Sequence, residues 1–121
     1  MEDLLKTLEA EKSKAQNEVT NFETRLKENP AYAFEWADDA MKAAARIDVL
    51  NFVIASLSSN STMTNQEKVY ETISYLHTNL IYSAKYGHSS SSACSNIMEE
   101  NKRIATATVY GVLFAKRGMI K

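Results

Sequence analysis

The clearest hydrophobic pattern in this chain runs from Asn29 to Leu57, a stretch that after Pro30 holds neither Gly nor Pro. Trp36, Ala40, Ala43, Ile47, Leu50, Ile54 and Leu57 alternate steps of four and three residues, the period of an α-helix with one buried stripe. Phe34, Met41, Ala45, Val49 and Phe52 make a second apolar stripe on nearly the opposite side. A helix covered on two sides lies in the middle of a domain. The spacing therefore predicts a long central helix over about 30–57, with Asn29 as N-cap and Pro30 at the first helical position. Glu35, Asp38, Asp39, Lys42 and Arg46 form its narrow polar stripe. Asp48 and Asn51 fall off that stripe and would need partners if buried.

Three further helices flank it. Over about 2–27, Leu8, Ala15, Val19, Phe22 and Leu26 make a thin apolar stripe on a heavily charged surface, as expected of a two-helix seam whose first two turns could project from the domain. The connection to the central helix is short, so these two should fold as an antiparallel hairpin. Thr64 and Glu67 form a capping box that opens a helix over about 65–86, with Val69, Ile73, Leu76, Leu80 and Ala84 as its core stripe and Gly87 placed for a left-handed cap. The fourth segment, about 93–117, is ambiguous in its second half. Residues 104–115 are β-branched and alternate like a strand, yet no other segment offers a strand to pair with. Ala107, Gly111 and Ala115 also fall in one helical row, which would let another helix approach closely, within the chain or from a second copy. The expected fold is all-α: one domain, a four-segment antiparallel helical bundle built around a long second helix.

Composition agrees. Apolar residues make up 45% of the 121, enough for a core, and 3 Gly and 1 Pro are too few for the turns of an all-β domain. A net charge of −1 gives no bulk attraction to nucleic acid or membrane. The charge is uneven, −4 over residues 1–60 and +3 over 88–121, which is either ordinary surface charge or a device for orienting a partner. Cys94 is the only cysteine, so no intrachain disulfide forms and a reducing compartment is expected. The N-terminus carries no apolar signal core, and the longest apolar run is shorter than the roughly twenty residues of a membrane span. The expectation is a cytoplasmic protein without a membrane segment.

Candidate chemistry is sparse. His77 and His88 share no ligand spacing, and no Glu-x-x-His motif occurs, so no metal or cofactor is expected. Cys94 near a helix start, with His88 six residues away, is the one conceivable nucleophile, against the simpler reading of a small packed thiol. The basic pairs Lys102-Arg103 and Lys116-Arg117 lack a helix-turn-helix setting, so no nucleic-acid partner is expected. More telling are Tyr75, Tyr82 and Tyr86, which with Asn79 lie opposite the core stripe of the third helix. Tyrosine joins a large apolar body to a polar tip and is enriched at interfaces. This face could be covered by the chain's own helices, by another copy, or by a ligand or partner.

Two functional expectations follow. The first is a non-enzymatic interaction protein, a homo-oligomer that meets a protein partner through an exposed helical face, such as an adaptor or an inhibitor of the kind phage and mobile elements carry. Its motive is an excess of apolar helix surface. The second is a binder or sequesterer of a small nucleotide-like ligand between protomers, using Tyr75, Tyr82, Tyr86, Arg46, His88 and Arg103.

Overall fold

The computed structural model describes residues 1–86 and 93–121, and among these every side chain except those of residues 32, 83–86 and 93–95. Four long helices account for most of the chain: α1 Glu2–Glu28, α3 Ala37–Leu57, α4 Asn65–Tyr86 and α5 Ala93–Lys116, with a single turn, α2, at Pro30–Ala33. No strand occurs among the described residues, and the fold is all-α. Helix α3 is central and packs against α1, α4 and α5. Along α1 and α3 the contacts pair in reverse order: Arg25 lies over the Trp36 ring, and further from the connection Glu18 meets Arg46.

The core gathers Leu4 and Leu8 of α1, Val49, Leu50, Val53 and Leu57 of α3, Val69, Ile73 and Leu76 of α4, and Ala105, Val109 and Leu113 of α5, closed by Ile120. Each fully buried Leu or Val contributes about 1.5–3 kcal/mol of apolar transfer free energy. Polar links fasten the end of the bundle nearest Ile120. Gln66 Nε2 donates to the Ile120 carbonyl at 2.8 Å, and Lys68 Nζ donates to the Ser59 carbonyl at 2.8 Å. The Thr64 cap forms as the sequence implies: Oγ1 accepts the Glu67 N–H at 3.2 Å.

The ambiguous 104–115 segment is helical. Its burial follows the helical period, with Ala105, Thr106, Val109 and Leu113 inside. Thr106 and Thr108 each donate a hydroxyl to the carbonyl four residues back, at 2.7 and 3.0 Å, which accommodates these β-branched residues within a helix.

Three expectations need correction. The helix predicted over 30–57 is interrupted: Phe34–Trp36 form a 3₁₀ turn, closed by the Ala37 N–H to the Phe34 carbonyl. Phe34 is 83% exposed, and Trp36 is engaged by the Arg25 guanidinium, 4.4 Å from its ring centroid, rather than by the core. The first turns of α1 do not project, since Leu4 and Leu8 are among the most buried side chains and the thin stripe thins toward Leu26 instead. The second stripe of α3 is not covered along its length: Val49 is buried, but Phe34, Met41 and Phe52 are exposed. Asp48 and Asn51 are exposed as well, so neither needs a buried partner.

Candidate interaction surface

The outward face of α4 begins with Tyr75 and reaches Asn79 and Tyr82, four and seven residues on, so all three project from one flank of the helix. Both tyrosines keep much of their surface exposed: Tyr75 is 50% and Tyr82 64% exposed. Across the furrow, Phe52 of α3 stacks on Tyr75 with ring centroids 4.8 Å apart and planes inclined by 30°, and it too is 43% exposed. The result is an aromatic ridge built on two packed helices, which fixes the rings at little entropic cost. Phe52, like Phe34 and Met41, is exposed although the stripe pattern places it on a covered side. Its stripe also carries Asp48, a charge that a covered face would exclude, and that was the available signal.

The rest of the predicted set is divided. Arg46 points toward α1, its guanidinium 2.5 Å from Glu18 Oε2, while Phe52, six residues later, lies roughly 120° around the helix. Arg103 on α5 is held by Glu100, one turn earlier, through Nε and Nη2. That hydrogen bond and the Glu100 charge raise the already high pKa of Arg103. Neither arginine joins the tyrosines as an anion clamp. The Tyr86 side chain, the Cys94 side chain and all of His88 lie outside the described residues. His77 is exposed and stacks on Tyr110 at 5.9 Å, which in turn stacks on Phe114 at 5.7 Å.

On α5, Ala107, Gly111 and Ala115 do share one side, but that side is exposed. A Cβ built on Gly111 meets nothing within 4 Å, so among the described residues no helix uses this row for close approach. Between α3 and the start of α5 lies an open groove of about 590 Å³, bordered by Met41, Ala45 and Met98 and by the charged Asp48, Glu99 and Lys102. A second, of about 300 Å³, sits between α1 and the start of α3, bordered by Phe22, Arg25 and Trp36. Among the described residues no three metal-ligating side chains converge, and no helix is long and apolar enough to cross a membrane. No protein-family model matches this chain, and neither a curated protein nor a solved structure matches it.

Proposed function

We propose that this is a non-enzymatic helical interaction protein that meets a protein partner through the α3–α4 aromatic ridge. The observation that carries the reading is that Phe52, Tyr75 and Tyr82 stay 43–64% exposed on a two-helix scaffold. Exposed aromatics grouped on a rigid surface are the residues that dominate interface energetics, and scattered single apolar residues are not. A second copy of the chain is the first partner to test. The open Ala107–Gly111–Ala115 row on α5 supplies a place where another helix could come close. An adaptor or an inhibitor of a larger assembly is the role that suits a chain of this size. The nucleotide-binding alternative is less well supported, because Arg46 and Arg103 are each engaged by a glutamate away from the tyrosines.

The test compares the wild type with Phe52→Ser/Tyr82→Ser by multi-angle light scattering, then by affinity capture from a host lysate. The substitutions lie on exposed positions, so the fold should persist by circular dichroism. The expected result is an oligomer or a captured protein present with the wild type and lost with the variant. A monomer whose captured material is the same with and without the substitutions refutes the reading.

A further inference from the structure

Helix α5 buries Ala105, Thr106, Val109 and Leu113 on one side, and the side opposite them faces outward. That outward side is centred on Gly111 and carries Ile97, Ile104, Ala107, Thr108, Phe114 and Ala115. Ile97, Ile104 and Phe114 are 49%, 42% and 43% exposed. Within about 60° of Gly111 around the helix the only charged residue is Glu100, which is bonded to Arg103 of the same helix. A surface helix ordinarily turns its charged residues away from the core, and a helix apolar on both sides is one that is covered on both. Here one side packs on the core and the other is open along the length of the helix.

We propose that two copies of the chain meet on this side, α5 against α5, antiparallel about a two-fold axis at Gly111. This gives a place and an orientation to the second copy named above, and it does not rest on the aromatic ridge. Two features of the helix point to its own copy as the occupant. The first is size. Residues equally far from Gly111 in the two directions face each other, so Ala107 faces the partner's Ala115 and Phe114 faces the partner's Thr108. Small residues then meet where the backbones approach, and the one large ring falls opposite a small side chain, as a self-complementary two-fold contact requires. Phe114 is already held, by Tyr110 stacked on one flank and by the Arg117 guanidinium 3.5 Å from its ring centroid. The second feature is charge. Antiparallel packing brings Glu100 of each copy to the C-terminal end of the other, where Arg117 and Lys121 meet no carboxylate side chain among the described residues. Arg117 donates instead to the Phe114 carbonyl of its own helix. A parallel pair would set Glu100 beside Glu100 and Phe114 beside Phe114, losing both complementarities.

The test places single cysteines on this side of the full chain, Ala107→Cys and Ala115→Cys, each in a Cys94→Ser background. Both positions are exposed, so the helix should tolerate them. In the proposed register a cysteine at 107 lies against one at 115 of the other copy. Two copies of the same variant hold their thiols about 12 Å apart along the axis, beyond the roughly 7 Å between Cα atoms that a disulfide spans. Mild oxidation of the mixed variants should therefore give the 107–115 disulfide at least about ten-fold in excess of 107–107 and 115–115. Disulfides within one variant as abundant as the mixed one overturn the antiparallel register. A single helix pair buries less than the roughly 800 Å² per partner of a standard interface, so a dissociation constant on the order of 10 μM is expected. Sedimentation of the unmodified chain at about 500 μM should accordingly show mostly dimer, and Ile104→Lys, a charge at an exposed position, should return it to monomer with its circular dichroism unchanged. An unmodified chain that is monomeric at that concentration, or an Ile104→Lys variant that still dimerises, overturns the proposal. The two readings fail separately: capture lost on Phe52→Ser/Tyr82→Ser without a mixed disulfide strikes the α5 dimer alone, and the reverse result strikes the ridge alone.

Discussion

Replacing Gly111 by Ala is the sharpest probe of the α5 surface. The residue sits inside α5, Ala93–Lys116, and a Cβ at this position would meet nothing within 4 Å. The variant therefore gains helix propensity, about 0.8–1 kcal/mol for Gly to Ala in a helix interior, without a steric penalty. Part of that gain is a smaller loss of backbone entropy on folding. For a chain of 121 residues the unfolding entropy is on the order of 0.25 kcal/mol per degree, so the melting temperature should rise by about 4 °C. Thermal melts by circular dichroism at two protein concentrations measure it. A fall in melting temperature at low concentration would show that something in the same chain already occupies the space beside Gly111, and would refute the reasoning. If copies of the chain associate through Ala107, Gly111 and Ala115, the added methyl should also shift light scattering toward monomer at high concentration. An oligomer unchanged by the substitution would remove this row from the interface.

Other consequences can be checked in the same way. Leu8→Ala should cost about 2–5 kcal/mol in chemical denaturation because Leu8 is 1% exposed, whereas Leu26→Ala, at 44% exposure, should cost less than about 1 kcal/mol; equal costs would contradict the burial of the α1 start. Thr64→Ala removes the acceptor of the Glu67 N–H and should cost about 1 kcal/mol, with Thr64→Ser recovering most of it. Glu18→Gln weakens a half-exposed ion pair with Arg46 and should cost at most about 1 kcal/mol at low salt. That difference should shrink as salt is raised, and a loss that persists in molar salt would mean the contact is not mainly electrostatic.

What the sequence determined by itself is the set of helices, apart from the 3₁₀ break at Phe34–Trp36. Each depends on local information: the three- and four-residue spacing of Val69, Ile73 and Leu76, the Thr64 cap, and the Asn29-Pro30 start all act within a few residues of backbone. The seeming strand at 104–115 was legible only in part, because β-branched residues weaken the helical signal while the threonine hydroxyls that accommodate it need the helix to exist first. Tertiary structure alone decided which apolar faces are covered. The two stripes of α3 look alike in sequence, but three neighbouring helices can cover only part of its circumference. They cover Leu50, Val53 and Leu57 and leave Phe52 outside. The same limit decided that Leu4 and Leu8 close the core while Gly111 faces outward. It also left Asn101 buried with a donor unpaired, because periodicity along a chain specifies a side chain's direction and says nothing of the distance to what lies opposite.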